Sequence, residues 1–200
     1  MIRIENFRLE PLKEGTYIHP KLACYRQEGE ERSWEILESH DSVAVLIRHR
    51  ERKGFLFVRQ FRPAVYAHGE SGMTVELCAG LVDKDLPLER IAAEEVEEEC
   101  GYRVEAAALE KVTSFFTSVG FAGSRQTLYY VEVDEGMRVG PGGGIEGEQI
   151  DVLFMDEREA RKLMADENVA RTPGLLYALC WWFGREGLGF TWLDKNYQKI

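Results

Sequence analysis

Apolar positions recur along this chain with two different periods, and the switch between them marks out its elements. "SVAVLIRH" (42–49) and "FLFVRQF" (55–61) are strand-length runs rich in β-branched and aromatic residues. The polar turn "RERKG" joins them, so they predict a pair of strands. "TVELCAG" (74–80) predicts a short buried strand ending at Gly80, after a loop over 62–74. Upstream, "RIENFRLE", "TYIHPKLACYRQ" and "SWEILE" are extended segments that predict a small β-rich element over residues 1–40. Downstream, "LEKVTSFF" and "RQTLYYVEV" predict strands on either side of "TSVGFAGS". "QIDVLFM" predicts another after the glycine-rich loop "GPGGGIEGE" (140–148).

The second period is helical. Ile91, Ala92 and Val96 supply the apolar side of a helix that Asp85 is placed to cap, with Pro87 early and Gly101 just past its end. "DEREARKLMAD" predicts another, with Asp156 and Glu159 spaced as a capping box. Thr172-Pro173 opens a third, running through "LLYALCWWF". Strands interleaved with helices predict an α/β or α+β sandwich, with residues 41–200 as the main domain.

Charge and composition narrow the chemistry. At 200 residues the chain suits one domain with a small appendage. A formal charge of −10 argues against a nucleic-acid surface. It leaves room for a small phosphorylated ligand where a cation and a few arginines make a local positive site. No apolar run approaches the ~18 residues of a membrane span, and "MIRIENFRLE" lacks the apolar core of a signal peptide. A cytoplasmic protein is therefore expected, with no membrane partner. Cys24, Cys78, Cys100 and Cys180 lie far apart, which suits reduced thiols better than a disulfide framework or a zinc site.

One segment stands out against that background. "EEVEEECGY" (94–102) crowds Glu94, Glu95, Glu97, Glu98 and Glu99 together, although like charges four apart on a helix repel. At about 100° per residue, Glu95, Glu98 and Glu99 share one face, while Ile91 and Val96 point elsewhere. Several hard oxygens within mutual reach suit Mg2+, or Mn2+, working with substrate phosphates. The plainer alternative is a solvated acidic face.

The surrounding segment "AGLVDKDLPLERIAAEEVEEECGY" (79–102) decides between them, because it resembles the Nudix box, G-x5-E-x7-R-E-U-x-E-E-x-G-U. Gly80 matches the first glycine, and Glu95, Val96, Glu98, Glu99, Gly101 and Tyr102 fall in register with the second half, so the box spans 80–102. Leu86 stands where the family has Glu, and Glu94 where it has Arg. Those two form an ion pair in the family, and losing both leaves no unpaired partner. "SWEILESHDSVAVLI", "FVRQFRPAVY", "TVELCAGLVD", "SVGFAGSRQTLYY" and "GPGGGIEGEQID" are further similar to the UDP-sugar (UDP-glucose) pyrophosphatase branch of the Nudix hydrolases, a close relative of the ADP-ribose pyrophosphatases.

That resemblance implies an α/β/α Nudix sandwich with a mixed sheet and a small N-terminal β element, acting as a homodimer on a small-molecule nucleotide sugar. It implies Glu95 and Glu99 as a metal-binding pair, with Glu98 a further ligand or an orienting acid and the Ala79 carbonyl a backbone ligand. Glu146 and Glu148 match mobile loop acids that deliver a general base and a metal ligand. Arg62 matches a phosphate-contacting arginine, with Arg125 a second candidate. Trp34 and Glu35 lie where an N-terminal element lines the substrate pocket, in some members from the partner subunit. The implied reaction is metal-dependent hydrolysis of a nucleoside diphosphate sugar, UDP-glucose or a related UDP-sugar, to a nucleoside monophosphate and a sugar phosphate. ADP-ribose hydrolysis to AMP and ribose 5-phosphate is the alternative, and a domain that binds a nucleotide sugar without cleaving it is a further one.

The residues alone support that chemistry. A divalent ion on a diphosphate neutralises charge and acidifies a bound water, a loop carboxylate can take the proton, and the arginine fork can grip two oxygens. Other readings stay open at single positions. Arg59 and Arg62 also read as edge-strand charges, Glu76 as a local partner, His40 as part of a turn, and Cys78 and Cys100 as small buried residues. "GPGGGIEG" is no P-loop, since no Gly-Lys-Ser/Thr follows, and no EF-hand loop occurs.

Overall fold

The computed structural model describes residues 4–12, 15–145 and 147–185. The first two strands, β1 (Ile18–Gln27) and β2 (Glu30–Ser39), make an antiparallel hairpin that forms a sheet of its own. Most of its side chains are exposed, Trp34 at 57% and Leu22 at 61% among them. "RIENFRLE" is expected to be a third strand here, yet its described residues pair with no strand; Phe7 instead sits edge-on to Tyr66, ring centroids 4.9 Å apart.

The remaining strands build one mixed sheet. In chain order they are β3 (Ser42–His49), β4 (Gly54–Phe61), β5 (Met73–Glu76), β6 (Cys78–Leu81), β7 (Glu110–Phe116), β8 (Arg125–Val133), β9 (Ile150–Asp156) and β10 (Ala170–Arg171). Across the sheet the order is β10-β5-β4-β3-β8-β7, with β6 added beside β3 and β9 beside β4. β3 runs parallel to β8 and antiparallel to β4 and β6. Among the described residues four α-helices connect or cover these strands: α1 (Pro63–Ala67), α2 (Leu88–Cys100), α3 (Glu157–Ala165) and α4 (Pro173–Arg185).

β3 explains the layering. Val43, Val45 and Ile47 pack with Ile91, Ala92 and Val96 of α2. Ala44 and Leu46 point the other way, to Leu163 of α3 and Leu175 and Leu179 of α4. A strand buried on both faces reads as an unbroken apolar run, which is what residues 43–47 are. The result is the anticipated α/β/α sandwich, with α2 on one face and α3 and α4 on the other. Trp182 belongs to the second layer, 5.0 Å from Phe55 between ring centroids.

Several local expectations are corrected. The loop over 62–74 contains α1, begun by Pro63, whose ring is tolerated in a first helical turn. "TVELCAG" breaks at Leu77, so β5 pairs with β4 while β6 crosses to β3. Asp85 does not cap α2; extended Pro87 is the N-cap, and its carbonyl accepts from the Arg90 and Ile91 amides. α3 carries its capping box, with the Glu159 amide donating to Asp156 at 2.7 Å and the Asp156 amide to Glu159 at 2.9 Å. β10, a mere two residues, carries too little pattern to be foreseen. No helix among the described residues is long and apolar enough to cross a membrane.

Candidate active site

The carboxylates of α2 are brought to the sheet by the bare backbone of β6. A Cβ on Gly80 would fall 1.9 Å from Glu95 Oε1, so the helix approaches this closely only because position 80 has no side chain. One turn on, Glu99 is 4% exposed, and its Oε2 accepts the Ala79 amide proton at 2.9 Å. Gly101, in the left-handed region, then ends the helix. Cys78 and Cys100 are buried beside these acids and free, and burial pushes the Cys78 thiol well up, away from nucleophilic use.

After β7 and β8 the chain comes back to Gly101, whose carbonyl accepts from the Val139 and Gly140 amides, and the glycine-rich loop then lies along the end of α2. The Gly143 amide donates to the Glu99 carbonyl at 2.8 Å and the Gly144 amide to the Glu98 carbonyl at 3.1 Å. Gly142 has φ +70, and a Cβ there would meet the Glu99 carbonyl oxygen at 2.3 Å. The loop also carries Glu148, exposed, whose Oε2 accepts the Ile145 amide at 3.1 Å. Glu146, the other loop acid expected here, lies outside the described residues.

Electrostatics show how close these acids are. Burial, reinforced by Glu98 and Glu148 and opposed by Lys84, pushes the Glu95 carboxyl up to about 7. Burial likewise lifts Glu99 to about 8, with Glu95 and Glu148 adding repulsion against the Ala79 and Cys78 hydrogen bonds that pull it down. Among the described residues no three acidic, histidine or cysteine side chains are already gathered as a closed ligand set. The donors nevertheless fit a divalent cation: hard oxygens from Glu95 and Glu99, crowded and partly dehydrated, with Glu98 and Glu148 within electrostatic reach.

A bound cation would have an arginine for a neighbour. Arg62 donates from Nε and one terminal nitrogen to the two oxygens of Glu76, both at 2.8 Å, and its charge is felt with those of Glu99 and Glu148. Glu76 is 7% exposed and also accepts from the Thr74 hydroxyl. Burial alone would raise its carboxyl, but Arg62 and Thr74 hold it below the usual carboxylate range. Glu76 is thus a local partner, as its place in the strand suggested, and the group it pairs with is Arg62.

The other expected residues are placed elsewhere. Arg125 gives its amide to Asp41 at 2.8 Å and lays its guanidinium over Phe116, 4.7 Å from the ring centroid, beyond β3 from the carboxylates. Trp34 donates from its indole to the Gly120 carbonyl at 2.7 Å, tying the hairpin to the 117–124 loop. Trp34 and Glu35 are consecutive on β2, so they face opposite sides of the hairpin. Within one chain the structure brings neither to the acids.

Glu94 has found new partners. It accepts from Lys84 Nζ and Arg90 Nε, each at 3.2 Å. The loop before α2 is thus tied to the helix by a lysine from the loop and a glutamate from the helix. Arg90 was legible as an i,i+4 partner, while Lys84 was not, because it reaches Glu94 across the 81–87 loop.

Comparison with known proteins fits this geometry. Residues 38–174 match the model of the NUDIX domain. The chain is 37% identical to the uridine diphosphate glucose pyrophosphatase NUDT14 of Bos taurus, covering 94% of this chain and 99% of that protein. It is 36% identical to the protein of the same name from Mus musculus, over 92% and 96%. It is 42% identical to the GDP-mannose pyrophosphatase of Cronobacter sakazakii over a shorter stretch, 63% of this chain and 65% of that protein.

Proposed function

Since this chain belongs to the Nudix family, whose members generally use divalent metal ions, we propose that it hydrolyses the pyrophosphate bond of a nucleoside diphosphate sugar. We take UDP-glucose or a related UDP-sugar as substrate and Mg2+ as the ion, with Mn2+ able to replace it. The observation that carries this reading is the pair of half-dehydrated carboxylates, Glu95 and Glu99, closed against Gly80 and Ala79 with Arg62 alongside. The UDP-sugar choice is supported by the names and near full-length match of the two mammalian relatives.

In this mechanism Glu95, Glu99, Glu148 and the Ala79 carbonyl would hold the metal, which when bound would neutralise phosphate charge and acidify a water. Arg62, held flat by Glu76, grips a phosphate oxygen through donors not used by that pair. Water attacks one phosphorus, the bridging P–O bond breaks, and a nucleoside monophosphate and a sugar phosphate leave. Glu146 and Glu98 are the carboxylates that handle the water's proton, Glu146 from the loop and Glu98 from the helix. Trp34, Glu35 and Arg125 contribute substrate contacts in a homodimer. That arrangement is supported by the hairpin, since an isolated two-stranded sheet is marginally stable alone and this one exposes Leu22, Tyr25 and Trp34. We place the protein in the cytoplasm, where its four free thiols stay reduced.

The test is monophosphate release from UDP-glucose, ADP-ribose, ADP-glucose and GDP-mannose with Mg2+ or Mn2+. UDP-glucose should be cleaved fastest, and Glu99→Gln should lose most of that rate. A native protein that leaves the whole panel intact defeats the proposal. If a nucleotide sugar then still raises the melting temperature, the domain is a binder and not a hydrolase.

A further inference from the structure

Behind the glycine-rich loop, on the α2 side of the sheet, lies a cavity of about 480 Å3. That volume falls within the range of sites for small organic ligands. Its floor is apolar, made by Leu56 with Ile150, Val152 and Phe154. Two cations stand on its walls, Arg52 from the β3–β4 turn and Arg138 from the segment before the loop. None of the carboxylates of the candidate active site lines it, nor does Arg62.

The charge on these walls is only partly compensated. Arg52 makes no ion pair among the described residues; its guanidinium lies over the Phe154 ring, 3.6 Å from the centroid, and bonds the Tyr102 hydroxyl. Arg138 is half exposed; it pairs with Glu135 at 3.2 Å and donates to the Gly140 carbonyl at 3.4 Å, which leaves further guanidinium donors on the cavity side. Asp151, the carboxylate on the wall, is committed to Arg59 through two bonds of 3.1 and 2.7 Å. In a chain of net charge −10, a pocket with an apolar floor and polar walls that carry two arginines is complementary to an anion with a flat ring system. The planar guanidinium fork matches the oxygens of a phosphate, which it can bind through two donors at once.

The position of the cavity gives it a lever. Pro141–Gly143 form one of its walls, and the same stretch is pinned to the α2 carbonyls immediately before the residues that carry Glu148. A ligand pressing on that wall acts on the reach of the loop acids.

We propose that this cavity is a second binding site, for a nucleoside monophosphate. The phosphate bridges Arg52 and Arg138, the base rests on the apolar floor, and occupancy shifts the acidic loop. Binding stands apart from the catalytic reading given above; the effect on the loop rests on it.

UMP titrated into metal-free protein in EDTA, followed by calorimetry, tests the site. Wild type and Arg62→Ala should bind alike, while Arg52→Glu, at an exposed turn position, should weaken binding by at least roughly tenfold, the loss of one charge-assisted contact. The proposal is overturned if wild type does not bind UMP, or if Arg62→Ala abolishes binding that Arg52→Glu leaves intact. Where hydrolysis is measurable, UMP should inhibit non-competitively in wild type and competitively in Arg52→Glu. Competitive inhibition in both would remove the coupling.

Discussion

Glu76 shows how one buried side chain can set another that works in the open. Its two oxygens accept from Nε and one terminal nitrogen of Arg62, so removing Arg62 leaves a carboxylate 7% exposed with Thr74 alone. Arg62→Ala should cost about 1–3 kcal/mol in urea unfolding, the range for a buried group left short of partners. The sign with pH follows from the lowered Glu76 carboxyl. Its contribution is present above about 4.5 and fades as pH falls through the lowered folded value, so the gap between wild type and Arg62→Ala should narrow in acid. A gap that stays constant down to pH 3 would mean that Glu76 does not depend on Arg62.

Glu94 carries a second lesson at this scale. Restoring the family's letter by Glu94→Arg would set a third cation against Lys84 and Arg90. The single change should therefore lower stability, though by no more than about 1 kcal/mol because the pairs are solvent-exposed. Lys84→Glu combined with Glu94→Arg should recover most of it in a double-mutant cycle. Glu95, Glu98 and Glu99 were legible because helical spacing alone puts them together. Lys84 with Glu94, and Arg62 with Glu76, were not, because each pair is made by chain that leaves the sheet and comes back.

Among the elements, strands with both faces buried were the easiest to read: β3 and β8 have the bounds that their apolar runs predict. What escaped was decided by neighbours. The break at Leu77 exists because β4 and β3 compete for one segment, and α2 starts at Leu88 because Pro87 is extended, whatever cap Asp85 offers. The glycine loop was legible as glycine-rich and acidic, but not as a strap along the last turn of α2. Two alanine substitutions separate those properties. Gly147 has φ +88 and open space, so Gly147→Ala should cost only the left-handed strain, about 1–2 kcal/mol. Gly142→Ala adds a clash with the Glu99 carbonyl, so it should lower the hydrolysis rate more at an equal or larger drop in melting temperature. Equal rates in the two variants would show that the strap does not position the acids.

For the whole molecule, the raised carboxyls of Glu95 and Glu99 set the response to pH and metal. A carboxyl lifted in the fold favours the protonated state, so it costs stability as pH rises from about 4.5, the cost growing until pH passes about 7 for Glu95 and about 8 for Glu99. In EDTA the melting temperature should fall between pH 6 and 9, and saturating Mg2+ should flatten that fall because the ion competes with the protons. Parallel curves with and without Mg2+ would separate the metal from these residues. The central pairing of β3 with β8 reaches further, into how the protein is made. At about 5–20 residues per second, a ribosome that has finished His49 needs on the order of ten seconds to supply β8. Throughout that interval the run Val43–Ile47 is synthesised but has no parallel partner, open to aggregation or to capture by a chaperone. Substitutions that weaken this strand should therefore appear first as lost soluble yield during expression, while the molecules that do fold keep their full turnover.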